Sequence, residues 1–366
     1  MDAEVLIVGG GIAGLSLAWQ LAPRAKVVLV EAENALAYHT SSRSARQMQP
    51  SYGPAPIREL TTRSIAAVRN ISADLGRSIL LPRPLIFIGS TEDIAARTAE
   101  DEFLVRIGAT EALRLSPDLR PGSFADSCLD ASALEVDVPA LLEYYRAQAT
   151  AAGAVIVLGA PVHTAARTGS GWTVGAGDHA YSAPVVVNAA GAWADVLAVD
   201  FGVRSQGMRP HRRTAAIVRT NRAADPAGPM IAAADDTWYY RPDGSFLLIS
   251  PCESEPSIPE DARPIEADVR RLMARIDAVS SLGILAVERS WTGLRTSVAD
   301  GLPVVGFDPE APGFFWLAGQ GGYGIQTSAG LAALAAELIL SGHDSAGVGA
   351  GGPAADPVAE ALRPDR

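Results

Sequence analysis

IVGGGIAGLSLAWQL, residues 7–21, continues the apolar start at Val5 and decides the fold. A largely β-branched run breaks into glycines and reopens as an amphipathic helix over residues 12–22. Gly9, Gly11 and Gly14 keep G-x-G-x-x-G spacing across that junction. Gly9 turns the chain tightly, Gly11 lets backbone approach a pyrophosphate, and Gly14 lets helix pack closely on strand. The free N–H groups of the helix start carry a partial positive charge toward the phosphates. A second apolar run, Val27 to Val30, ends at Glu31 and completes strand, helix and strand in about thirty residues. A carboxylate there accepts hydrogen bonds from ribose hydroxyls and disfavours a 2′-phosphate, so NADP is not expected.

Working outward, helical periodicity recurs over residues 58–75 and 138–152, the second opened by Asp137 and Pro139. Residues 80–88 and 155–158 read as strands, and residues 161–187 as a β meander with Gly-rich turns. Between residues 209 and 291 strand-like stretches at 215–218, 238–241 and 246–250 surround one helix, 266–279, which predicts a second, mainly antiparallel sheet. A last strand, 314–317, leads through a glycine cluster into a helix over residues 325–340. Residues 346–366 are Gly, Ala, Pro and Asp without periodicity and are expected to be a disordered tail. The fold class is therefore α/β with an α+β part: a Rossmann-like domain and a mainly antiparallel substrate domain.

The chain has 366 residues with a formal charge of −11, and no dense Lys/Arg run offers a phosphate-binding face, so nucleic acid is excluded as a partner. Cys128 and Cys252 are far apart in sequence and are expected to be reduced and structural. The first apolar run follows Asp2 and Glu4 instead of a basic region, and residues 331–340 are too short to span a bilayer, which predicts a soluble, cytoplasmic protein. The five histidines are scattered and no G-x-S-x-G elbow occurs, so neither a bound metal nor hydrolase chemistry is expected.

The nucleotide motif does not separate NAD from FAD. In GQGGYGIQTS, Gly319, Gly321, Gly322 and Gly324 precede a helix with Thr327 and Ser328 in its first turn. N–H groups presented this way suit the negative charge of a reduced flavin.

HTSSRSA at residues 39–45, NAAGAWAD at 188–195, HRRTA at 211–215, WTGLRTSVADG at 291–301 and GFFWLAGQGGYGIQTS at 313–328 join the first motif in one pattern. The sequence resembles the FAD-dependent D-amino acid oxidase/glycine oxidase superfamily, and within it is most similar to the bacterial D-arginine dehydrogenases. The resemblance implies non-covalent FAD held by residues 1–80, 134–208 and 296–345, and a substrate domain made of residues 81–133 and 209–295. It assigns the cofactor to Gly9, Gly11, Ile12, Ala13, Gly14 and Glu31, to Arg43, Ser44 and Ala45, and to Val162, Ala190, Gly191 and Trp193. Arg295, Gly321, Gly322, Tyr323, Gly324, Ile325, Gln326 and Thr327 complete that set.

The same resemblance implies that Arg212 and Arg295 clamp a substrate carboxylate and that Tyr52 and Tyr239 close the site. A planar guanidinium suits the carboxylate because it bonds in two places and stays charged when desolvated. Arg213 is expected to be a surface charge, unless the motif is offset by one. Gln47, Gln49, Leu85, Met230 and Gly322 fall at pocket positions. Leu85 stands where the D-arginine-oxidising relatives carry a glutamate, so a cationic side chain would lie unpaired against an apolar wall. Gln47 replaces a histidine and cannot take a proton near neutral pH; water or Tyr52 would have to mediate. The implied reaction is oxidative deamination of a neutral or hydrophobic D-amino acid. Hydride passes from Cα to flavin N5, and the imino acid hydrolyses to a 2-oxo acid and ammonia. Oxygen or a quinone would reoxidise the flavin, and the oligomeric state is open. Alternatives are a glycine- or sarcosine-type amine oxidase, or a flavin-binding partner protein without turnover.

Overall fold

The computed structural model describes residues 1–169, 171–344 and 356–366. A six-stranded sheet runs in the order Val304–Phe307, Phe314–Ala318, Val185–Asn188, Val5–Val8, Val27–Val30, Val155–Val157. All of its pairings are parallel except that of the edge strand Val304–Phe307. Val5–Val8 and Val27–Val30 are buried at every position, which is why they read as continuous apolar runs and not as alternations. The helices Ile12–Leu21, Val138–Ala151 and Ser328–Asp344 share one core with one face of this sheet. The antiparallel meander Val162–Thr168, Gly171–Ala176, His179–Ala183 contributes to the core on the other face.

An eight-stranded sheet lies beyond it, in the order Ile284–Ser297, Arg209–Thr220, Phe246–Ser250, Tyr239–Asp243, Met230–Ala233, Leu85–Gly89, Asp126–Asp130, Val105–Arg106. Only the Met230–Ala233 and Leu85–Gly89 pair is parallel. Strand alternation gives this sheet two faces. Ile86, Ile88, Ala216, Val218 and Ile231 pack on the helix Glu266–Val279, whereas Leu85, Phe87, Ala215, Met230 and Tyr239 form a separate cluster on the opposite side.

Three sequence expectations change. The single strand over residues 80–88 is two: Leu80–Pro82 joins a small sheet beside Leu134–Val136, and Leu85–Gly89 enters the eight-stranded sheet. Pro82 and Pro84 lack the N–H that one continuous ladder would need. The last long helix begins at Ser328, because residues 319–327 form turns before it. The expected disordered tail is ordered from residue 356, where Pro357–Ala361 is helical and Leu362 is fully buried; residues 346–355 lie outside the described residues.

Candidate active site

The glycine turn is held by sterics. Gly9 has φ +112°, and a Cβ on it would lie 2.4 Å from the Ala189 carbonyl oxygen. A Cβ on Gly14 would lie 1.9 Å from the Gly9 oxygen, so the helix meets the strand at a distance only glycine permits. Gly11, the N-cap of Ile12–Leu21, has only Ser41 Oγ near its Cβ position, at 3.2 Å, and faces open space.

That space is a channel with two chambers. One, of about 350 Å³, is walled by Gly9, Gly11, Glu31, Val162, Ala190, Gly191 and Trp193. Its Glu31 carboxylate accepts from Gly10 N at 2.6 Å and Glu33 N at 2.9 Å, which fixes it at the chamber wall. The other, of about 610 Å³, lies between the two large sheets. The chambers share Gly11, Ser41, Ala189 and Gly191, so they meet at the start of the first helix.

Most of the expected flavin contacts line the larger chamber: Ile12 and Ala13; Arg43, Ser44 and Ala45; Gly321, Gly322, Gly324, Ile325 and Gln326. Gln47, Gln49, Leu85, Met230, Tyr52, Tyr239 and Arg295 line it too. Gly14, Tyr323 and Thr327 line neither chamber. Tyr323 packs on Tyr52 at 5.0 Å between ring centres, and Thr327 is buried, donating from Oγ1 to the Tyr323 carbonyl. Arg43 contributes wall, but its guanidinium donates to the Thr292 carbonyl and to Asp261. Gln326 braces the site from behind, donating to the Tyr52 carbonyl and to Thr61 Oγ1.

Arg212 is a correction. It points away from the chamber, donating to the Arg263 carbonyl and lying 3.7 Å from Glu260. Arg213 lines the chamber instead, on the same face as Ala215. The offset follows from the two-residue period of the strand Arg209–Thr220. Arg213 sits opposite Gly293, and Arg295 lies two residues along the same strand as Gly293, so the two arginines are diagonal neighbours on one face. Arg295 Nη1 donates to Tyr52 Oη at 3.3 Å, and a Cβ on Gly322 would lie 3.0 Å from that Nη1.

Several polar atoms of this wall are buried without a protein partner: both amide atoms of Gln47, Arg213 Nε and Thr296 Oγ1. Buried polar atoms are rarely left so, and here all three residues line the larger chamber. Burial pushes the Tyr239 phenol above its ordinary range, with the Cys252 thiol adding to it against the pull of Arg295. Cys252 also lines the chamber, and burial raises its thiol.

Sequence reasoning missed Phe87, Ala215, Ala232, Trp238, Cys252 and Arg97 in this wall. Met230 pairs with Leu85, so the two-residue period would have placed Ala232 and Phe87 beside them. Arg97, from the helix Thr91–Glu100, stacks 4.1 Å over the Phe87 ring and pairs with Asp236, and no motif announces it. No cluster of metal-ligating residues occurs among the described residues, and no helix among them is long and apolar enough to cross a membrane.

The sequence pattern of the family described as FAD dependent oxidoreductase (DAO) matches residues 4–338. The chain is 27% identical over 353 residues to glycine oxidase of Geobacillus kaustophilus (strain HTA426), covering 92% of each. The crystal structure of glycine oxidase from Geobacillus kaustophilus superposes with a TM-score of 0.81 at 25% identity, over 93% of this chain and 95% of that one. L-proline dehydrogenase from P. horikoshii shares the fold, with a TM-score of 0.81 at 19% identity, over 93% of this chain and 94% of that one.

Proposed function

The chain belongs to the DAO family of FAD dependent oxidoreductases, and from that premise we propose that it oxidatively deaminates a D-amino acid with a neutral or hydrophobic side chain. Arg213 and Arg295, facing one chamber from the same side of one sheet, carry this reading. They bind the α-carboxylate as a two-armed clamp, with Tyr52 holding one arm through its hydroxyl. FAD, when bound, would supply the acceptor for the two electrons and the hydrogen lost from the α carbon. Gly11 and the first turn of Ile12–Leu21 would hold its pyrophosphate, and Glu31 its ribose.

Tyr239 donates to the substrate as a neutral phenol. Gln47 orients the amine without taking its proton, which leaves to water. Leu85, Met230 and Phe87 form an apolar wall for the side chain, and Asp236, the acid that lines the chamber, is already paired with Arg97, so a cationic side chain is left unpaired. Water then hydrolyses the released imino acid to a 2-oxo acid and ammonia.

Anaerobic mixing of the FAD-loaded protein with single amino acids tests the reading. D-Leu, D-Met and D-Phe should bleach the flavin, while D-Arg, D-Lys and the L-enantiomers should not; bleaching by none of the three neutral D-amino acids rejects it. The 27% identity to glycine oxidase favours a second reading, oxidation of glycine or an N-methylated amino acid. Bleaching by glycine or sarcosine alone selects that one.

A further inference from the structure

We propose that Arg241 is a positioning residue for the flavin site, fixing the turn at residues 44–47 that walls the larger chamber. Arg241 belongs to the strand Tyr239–Asp243 and has no exposed surface. Its Nε donates to the Ala45 carbonyl at 3.0 Å, and its Nη1 donates to Glu135 Oε1 at 3.0 Å and to the Pro242 carbonyl at 2.8 Å. The gripped turn is unusual. Arg46 has φ +62°, a left-handed conformation that non-glycine residues adopt at a cost and keep only where the surroundings impose it.

Three further contacts hold that conformation: Arg46 N donates to Ser44 Oγ at 2.9 Å, Val136 N donates to the Arg46 carbonyl at 2.9 Å, and the Arg46 guanidinium pairs with Asp243. The next residue is Gln47, whose buried amide has no protein partner and forms part of the chamber wall. The backbone of residues 44–47 thus sets where that amide, and the Ser44 and Ala45 wall, stand.

The charges around Arg241 show what it is needed for. Glu135 also takes two hydrogen bonds from Arg83, at 2.9 and 2.7 Å, and Asp243 is paired by Arg46. Both carboxylates therefore keep a cation without Arg241, and a buried guanidinium is costly to desolvate. Of the carbonyls that only Arg241 bonds in this cluster, Pro242 is its own neighbour in the strand, and Ala45 is the one that ties it to the turn. Its function lies in the geometry of the turn, not in charge balance.

The inference rests on the flavin assignment of the chamber and not on the choice of amino acid, so FAD titration tests it without substrate. Arg241→Met should fold, since neither carboxylate loses its last partner. It should bind FAD about tenfold more weakly, as expected for one lost charge-assisted hydrogen bond, and the bound flavin should show an altered visible spectrum. Arg83→Met is the control. It removes bonds to Glu135, Pro226 and Gly228 in the same cluster without touching the turn. It should lower the melting temperature and leave FAD affinity and spectrum unchanged. Arg241→Lys keeps the charge but not the planar fork, and should resemble Arg241→Met; it also carries the comparison if Arg241→Met fails to fold. Wild-type affinity and spectrum in Arg241→Met or in Arg241→Lys, or an equal loss in Arg83→Met, would overturn the proposal.

Discussion

Arg212 and Arg213 are adjacent in sequence and face opposite sides of the sheet, and that one-residue difference decides which of them lines the chamber. A motif position locates the pair but not the member, whereas the strand period does, once Ala215 is known to face the chamber. Arg213→Met should therefore lower kcat/KM by about a hundredfold, because it removes one arm of the clamp in a desolvated site. Arg212→Met should change kcat/KM by less than about threefold, since Arg212 holds only the Arg263 carbonyl and the Glu260 neighbourhood. Steady-state kinetics on the best substrate of the amino acid panel compares the two, and equal losses would restore Arg212 to the clamp. Leu85 is 2% exposed and lies against Met230, so its change is the sharpest probe of side-chain choice. In Leu85→Glu, the ratio of kcat/KM for D-Arg over D-Leu should rise by about tenfold or more, as the new carboxylate pairs a cation and burdens an apolar side chain. A ratio unchanged from wild type would place the side-chain pocket elsewhere.

The opening strand, glycine turn and helix were legible because each residue there has a single steric or electrostatic reason to be what it is. The Gly14 Cβ position, 1.9 Å from the Gly9 oxygen, shows how little freedom remains. Gly14→Ala should push the helix off the strand, costing about 1–3 kcal/mol of stability and most FAD affinity. Gly11→Ala meets only Ser41 Oγ at 3.2 Å, so it should melt near wild type and still bind FAD more weakly. Thermal melts of the apoprotein with FAD titrations separate the two; equal melting temperatures for both variants would deny the packing argument. Other elements were hidden for equally physical reasons. The strand Val105–Arg106 is two residues long and exposed, which leaves no pattern to read. Residues 80–88 look like one strand because apolar side chains flank the prolines, and only the missing N–H donors reveal that two sheets share them. Arg241 was invisible as a functional candidate, since its role runs through the Ala45 carbonyl and no spacing encodes it.

At the scale of the whole molecule, the larger chamber is walled by residues that follow strands of the six-stranded sheet and by residues of the eight-stranded one, and the chain crosses between the two sheets several times before its last residues return to the first core. That return was missed in the sequence. Val358 and Leu362 are apolar residues four apart, a single turn too short to stand out among Gly, Ala, Pro and Asp. In the structure both are buried in the core around Ile12–Leu21, and the Leu362 carbonyl accepts from Val305 N of the edge strand at 2.8 Å. Asp356 caps the short helix by accepting from Val358 N and pairs with Arg63 at 2.5 Å. These contacts differ in weight. Leu362 has no exposed surface, so Leu362→Ala removes buried methyl groups and leaves a cavity, at a cost of about 2–4 kcal/mol. Asp356→Asn keeps the cap and loses only a pair whose side chains are 37% and 29% exposed, which solvent screens to less than about 1 kcal/mol. Denaturant unfolding of the apoprotein should therefore show a clear fall in midpoint for Leu362→Ala and a small one for Asp356→Asn. Neither Leu362 nor Asp356 lines either chamber, so FAD affinity should hold in both. A Leu362→Ala midpoint equal to wild type would mean that the tail does not hold the first core together in solution.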